Sequence, residues 1–234
     1  MSEASAATVV TIDGPAGSGK SSVAQRLAKR LGWQVLDTGA MYRASALLAL
    51  RRGIDPAEGE RVAEVLQDAE IGFDWSSDPP RIMLDGEAVD EAIRTAETTE
   101  AAAQVAGSPA VRAMLVDAQR RIAAGHPKLI SEGRDQGSVV FPDAVVRFFL
   151  DAPVEERAHR RALQLAAAGV AADESAIRSA IRERDELDRT RLVGPLVKPF
   201  GAIVVDTTSL SLEQVVDRLE AAVREELVAV GRGV

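Results

Sequence analysis

Short β-branched runs alternate with stretches carrying an apolar residue every three or four positions along most of this 234-residue chain. The strand-like runs stand at 8–12, 34–36, 128–131, 145–150 and 202–205. Helical spacing covers 22–31, 39–52, 56–69, 109–124, 153–168, 174–189 and 211–228. The last of these opens on a capping-box pattern, Ser211-Leu-Glu-Gln214. Strands alternating with helices predict an α/β fold, a five-stranded parallel sheet covered on both faces. Between about 70 and 93 the pattern changes. Ile71-Gly-Phe-Asp-Trp75, Ile82-Met-Leu84 and Glu87-Ala-Val89 read as short antiparallel strands, with Asp85-Gly86 as a hairpin turn. Helical spacing returns at 95–106, so this region is expected to be a small insertion beside the parallel sheet.

The first strand runs straight into Gly14-Pro15-Ala16-Gly17-Ser18-Gly19-Lys20-Ser21, followed by Ser22 and a helix. Strand, glycine-rich loop and helix are the context in which G-x-x-x-x-G-K-S binds phosphate. Glycines let the backbone N–H groups turn inward, and the helix adds its positive N-terminal end. Lys20 then reaches the β- and γ-phosphates, and the Ser21 hydroxyl is a ligand for Mg²⁺. The sequence therefore predicts a nucleoside triphosphate site.

Composition narrows the surroundings. Cysteine is absent, which excludes thiolate catalysis, Cys-ligated zinc and disulfides. The net charge of −8 argues against a nucleic-acid binder. No apolar run approaches the roughly 18 residues of a membrane span. Met1 to Ala7 lacks the basic flank and apolar core of a signal peptide, so a cytoplasmic protein is expected. No apolar stripe demands a partner, and a monomer is the default.

Three further clusters offer chemistry. Asp37-Thr38-Gly39-Ala40-Met41-Tyr42-Arg43 ends the second strand, where an α/β sheet places its ligands. It can hold a second phosphate; equally, Asp37 reads as a helix cap and Arg43 as a solvated side chain. Glu132-Gly-Arg134-Asp135 follows another strand and reads as a phosphate and base contact or as a structural ion pair. In Arg182-Glu-Arg184-Asp-Glu-Leu-Asp188-Arg-Thr-Arg191, a continuous helix would put Arg184, Asp188 and Arg191 on one face. Such a set clamps a phosphoryl group, although charged helices are often only solvated faces. His126 and His159 lack ligand spacing, and Trp33 and Trp75 read as packing residues. Arg157, Arg160 and Arg161 read as ATP contacts or as a solvated face.

Taken together, Thr11-Ile-Asp-Gly-Pro-Ala-Gly-Ser-Gly-Lys-Ser21, Leu36-Asp-Thr-Gly-Ala-Met-Tyr-Arg43, Glu132-Gly-Arg-Asp-Gln-Gly-Ser-Val-Val-Phe-Pro142 and Glu183-Arg-Asp-Glu-Leu-Asp-Arg-Thr-Arg191 with Pro195-Leu196 resemble the bacterial cytidylate kinases. The resemblance runs from Thr8 to about Glu226 in matching order and spacing. It implies a single three-layer P-loop domain with core segments 8–55, 108–170 and 200–228. A monophosphate-binding insertion would occupy about 56–107 and a short helical lid about 171–192. It implies ATP-dependent phosphorylation of CMP and dCMP with Mg²⁺. Gly14 to Ser22 would hold ATP, and Asp37, Thr38, Tyr42, Arg43, Ala103, Arg112, Arg134 and Asp135 the monophosphate. Arg184, Asp188 and Arg191 would belong to the lid and sugar contacts, with Lys20, Arg134, Arg184 and Arg191 catalytic. Two positions depart from the family: Ala103 stands where members carry a Ser that touches cytosine, and Gln136 replaces an apolar residue. Gln136 is expected to be exposed. A regulatory switch that binds GTP is the alternative from another class, but the guanine-reading Asn-Lys-x-Asp segment is missing.

Overall fold

In a computed structural model, which describes residues 7–167 and 169–231, the β-branched run at the start forms β1 (Thr8–Asp13). Met1 to Ala6, and Ala168 at the expected end of a helix, lie outside the described residues. The glycine loop leads into α1 (Lys20–Leu31), and β2 (Gln34–Asp37) passes directly into α2 (Thr38–Arg51). Next comes α3 (Gly59–Gln67), which starts three residues later than its apolar spacing suggests. The Asp55 side chain accepts the Ala57 N–H at 2.9 Å, and this local turn displaces the first helical turn.

A small antiparallel sheet follows: β3 (Ile71–Asp74), β4 (Arg81–Leu84) and β5 (Glu87–Ala88). Its Asp85-Gly86 turn has φ of 49° and 80°, the left-handed pair that suits a tight hairpin. A 3-10 turn at Ala92–Arg94 precedes α4 (Ala96–Val105) and α5 (Pro109–Ala124). Thr95 and Ser108 cap the two helices, and Pro109 stands in the first turn, where its missing N–H costs nothing. Then come β6 (Lys128–Gly133), a π-helical turn at Gln136–Val140, β7 (Val146–Asp151) and α6 (Val154–Ala167). The chain closes with α7 (Glu174–Thr190), β8 (Ile203–Asp206) and α8 (Leu212–Ala229), where both bonds of the capping box form.

The five long-range strands lie in the order β2-β6-β1-β7-β8, all parallel. Side chains alternate between two apolar clusters. Val10, Ile12, Ile130, Phe148 and Leu150 face one, with Leu27 of α1 and Leu219 of α8. Val9, Leu36 and Leu129 face the other, with Met41 of α2, Leu66, Leu84, Val105 and Leu115. The small sheet and α3 to α5 thus share one core with α2. Each of these fully buried side chains contributes about 1.5–3 kcal/mol.

Register decides where the chemistry falls. Ile12 lies beside Glu132, Asp13 beside Gly133 and Phe149, and Asp37 beside Glu132. The carboxyl ends of β1, β2 and β6 therefore meet at one edge, where an open α/β sheet binds its ligands. Gly14 makes the turn at that edge with φ of 153°, and a Cβ there would sit 2.2 Å from the Leu150 carbonyl oxygen. Gly14→Ala should therefore push β7 away from the loop and lower the unfolding free energy by more than about 1 kcal/mol. A urea midpoint that does not fall would show that β7 leaves room for the side chain.

Candidate active site

The glycine loop curls tightly enough for Lys20 to fold back over it. Its Nζ donates to the Pro15 carbonyl at 2.8 Å and to Ser18 Oγ at 3.3 Å. Burial, then the Arg134 guanidinium, lowers the Lys20 pKa, while Glu132, Asp188 and Asp13 oppose that shift. An arriving phosphate would restore the charge that burial disfavours. Ser21, one residue on, donates its hydroxyl to Glu132 Oε1 at 2.6 Å. Burial and then Asp37 raise the pKa of Glu132.

Ser21 and the buried Glu132 form an all-oxygen donor set. Among the described residues, no group of three or more His, Cys, Asp or Glu side chains is placed to cage a metal. That pairing suits Mg²⁺, which keeps most of its waters and takes substrate phosphates with one or two protein oxygens.

Across the cleft, Asp37 does cap α2, accepting the Ala40 N–H at 2.8 Å, and also pairs with Arg43 at 3.3 Å. The helix-cap reading of this carboxylate holds, and Arg43 is tied to it rather than simply solvated. Thr38 is buried and donates to the Glu132 carbonyl at 2.7 Å. Arg134 donates through Nε to Asp188 at 2.8 Å, and Arg184 and Arg191 reach the same carboxylate at 3.5 and 3.6 Å. The helix does not continue to Arg191 as one face would require. It stops at Thr190, where the Arg191 backbone N–H caps the end by donating to the Leu187 carbonyl at 3.2 Å, while its side-chain Nε donates to the Gly194 carbonyl beyond the helix. From there its Nη2 lies 3.7 Å from Asp135. Arg112 is 1% exposed: it pairs with Asp135 from behind and sits 5.6 Å from the buried Tyr42 ring. Ala103 lines a cavity of about 340 Å³ with Gln104, Asp188 and Arg191.

Several buried guanidinium atoms make no hydrogen bond: Arg43 Nε, Arg112 Nε and Nη1, and Arg191 Nη2. Those of Arg43 and Arg191 stand in the cleft region as donors a phosphate or base can take.

Some residues of the site escape sequence reasoning. Asp13 is fully buried and accepts the Gln136 and Gly137 N–H groups, each at 2.8 Å. Burial pushes its carboxyl up to about 7, against the pull of those two bonds. Gln136 is not exposed. Its side-chain oxygen accepts the Ser131 hydroxyl at 2.8 Å, so it braces the loop that carries Arg134 and Asp135. Arg157 is buried, donating to the Ala16 carbonyl at 2.7 Å. Arg160 holds Thr207, and Arg161 is exposed. Gln136, Arg157, Arg160 and Arg161 were singled out in the sequence but not for these contacts, and Asp13 had no signal of its own beyond its place before the glycine loop.

A family model described as cytidylate kinase matches the chain over residues 10–225. The chain belongs to the cytidylate kinase family. It is 48% identical over 221 residues to the cytidylate kinase of Mycobacterium avium (strain 104), covering 94% of this chain and 97% of that one. To the cytidylate kinase of Escherichia coli O1:K1 / APEC it is 43% identical over 221 residues, with 94% and 97% covered. As a cytidylate kinase family member it is a phosphotransferase, and its parallel sheet and glycine loop are those of a P-loop fold. No helix among the described residues is long and apolar enough to cross a membrane.

Asp188 is the hub of this family member's arginine cluster. Burial pushes its carboxyl up, but Arg134, Arg184 and Arg191 together outweigh that and hold it below its ordinary 3.8. The ionised form therefore favours the folded chain above pH 3.8, and the benefit is lost as pH falls through the lower folded value. Asp188→Asn should cost about 3–5 kcal/mol at neutral pH, because it leaves guanidiniums buried and unpaired. Urea midpoints of wild type and variant should converge as pH is taken toward 3. A gap independent of pH would contradict the assigned charge state.

Proposed function

We propose that this cleft holds ATP with Mg²⁺ on the side of the glycine loop and CMP or dCMP on the side of the arginines, and that the γ-phosphoryl passes between them to give ADP and CDP or dCDP. The observation that carries the reading is the meeting of Lys20 with Arg134, Arg184 and Arg191 around Asp188 and Glu132, at one edge of the sheet. A nucleotide phosphate on each side fits a cluster so rich in cations.

Gly14 to Ser22 would cradle the triphosphate with backbone N–H groups, and Lys20 would neutralise its β- and γ-oxygens. Ser21, held by Glu132, would contribute to Mg²⁺, which supplies charge neutralisation at the phosphate oxygens when bound. Arg43, with Thr38 and Arg134, would grip the acceptor phosphate. Asp135, backed by Arg112, would face the cytosine, with Arg191 and the Ala103 wall beside it. Asp188 would take a ribose hydroxyl. The acceptor phosphate is already an anion at neutral pH, so the chain needs no strong general base. Positioning and charge do the work, and an arginine brought to the transferring group contributes roughly 10³–10⁵ in rate. As a lid, α7 would exclude water that otherwise diverts the phosphoryl group. Nucleotides are the partners this chemistry requires, and a cytoplasmic monomer is its default setting.

A coupled assay for ADP, run with ATP, Mg²⁺ and CMP, dCMP, UMP or AMP, tests the reading. Turnover should be strong with CMP and dCMP, weaker with UMP and absent with AMP; preferred turnover on AMP would overturn the acceptor assignment. Lys20→Ala should lower kcat by roughly 10²-fold or more while the folded spectrum is kept. Arg184→Ala and Arg191→Ala should depress kcat more than they raise KM for ATP. An effect confined to CMP affinity would remove those two from the transition state.

A further inference from the structure

Two buried carboxylates stand three residues apart on α7 and face different halves of the cleft. Asp188 belongs to the arginine cluster already described. Asp185 belongs to the glycine loop: its Oδ1 accepts the Ala16 N–H at 3.1 Å, and its Oδ2 pairs with Arg157 Nη2 at 2.7 Å. Arg157 completes the circuit by donating to the Ala16 carbonyl at 2.7 Å and, through Nε, to the Ala152 carbonyl at 2.9 Å. Both polar groups of Ala16 are thus held by side chains, one from α6 and one from α7. The pair is 4% and 3% exposed. At Gly17 the contact is equally close, since a Cβ there would meet Arg157 Cβ at 3.3 Å and Ile181 Cδ1 at 3.8 Å.

Neither Asp185 nor Arg157 has a part in the mechanism above. We infer that they are positioning residues which fix the tip of the glycine loop and, through one turn of α7, tie the donor site to the acceptor site. A buried ion pair separates only at large cost, so the loop tip, Arg157 and α7 move together. One helical turn is stiff, and a shift of Asp185 is a shift of Asp188 and of the three arginines on it. Triphosphate that sets the loop therefore sets the arginines, and monophosphate that sets the arginines favours the loop. By linkage the two effects are equal. The inference rests on the assignment of the two nucleotide sites proposed above.

The test is calorimetric titration of the full chain with CMP, with and without Mg²⁺ and an ATP analogue that cannot transfer its phosphoryl group. Wild type should bind CMP more tightly with the analogue present, by a factor within the roughly 5–150 typical of coupled sites. Asp185→Asn and Arg157→Lys should bring that factor close to one and raise KM for ATP about tenfold. CMP affinity without the analogue should stay as in wild type. Lysine keeps the charge opposite Asp185 but cannot span both carbonyls, so it carries the test should the first variant not fold. Exchange of the Ala16 amide, followed in wild type, needs no variant: CMP alone should slow it. Variants that keep the wild-type factor and KM, or an Ala16 amide indifferent to CMP, would reduce the pair to a structural tie. A wild-type chain that neither binds nor phosphorylates CMP would instead overturn the proposed function.

Discussion

Cationic side chains cannot be packed together at the edge of a sheet unless carboxylates are interleaved among them, and that constraint organises this structure. Taking an ion out of water costs several kcal/mol, and attraction to an opposite charge must offset it. Here Asp188 stands among Arg134, Arg184 and Arg191, Asp135 between Arg112 and Arg191, Asp185 against Arg157, and Glu132 beside Lys20. The balance is incomplete. Burial still presses Arg184 and Arg191 below their ordinary pKa, and several guanidinium nitrogens stay without a hydrogen bond. A cluster in that condition suits the phosphates proposed for it, whose oxygens would accept from the free donors and supply the missing negative charge.

The fold meets the constraint through strand register and a few close approaches. Parallel pairing of β1 with β6 sets Asp13 opposite Gly133, and from there Asp13 holds the turn that follows Asp135. Pairing of β2 with β6 sets Asp37 opposite Glu132. At the far side of the cleft, the segment after α7 lies directly on the Arg112–Asp135 pair. Gly194 makes this possible: its φ is 59°, and a Cβ there would fall 2.1 Å from Arg112 Nη2 and 2.3 Å from Asp135 Oδ2. The two apolar clusters hold these pieces at fixed spacing, which matters because electrostatic catalysis depends on donors that are already in place.

Much of this was legible in the chain. Alternation of β-branched runs and helical spacing located all five strands of the parallel sheet, and Asp85-Gly86 marked the hairpin of the small antiparallel sheet because that dipeptide tolerates left-handed backbone. The glycine loop was readable because phosphate binding needs a local sequence. What could not be read were contacts set by tertiary packing. Asp13 finds Gln136 and Gly137 more than a hundred residues away, and Gln136 is buried because it has Ser131 to bond, not because its type prefers burial. Arg157 sits on a helix that looks solvated along the sequence, yet one side of it meets the loop tip. The end of α7 was legible to within one residue, at 189 against Thr190, whereas the approach of Arg191 to Asp188 from beyond that end is set by tertiary packing.

The account stands or falls on direct passage of a phosphoryl group between two nucleotides bound side by side. ATP labelled with ³²P at the γ position, incubated with the protein, Mg²⁺ and CMP, measures this most directly. The account predicts that the label appears in CDP in step with ADP, with little released as inorganic phosphate and none left on the protein. Label found mainly as inorganic phosphate, or attached to the chain, would contradict it.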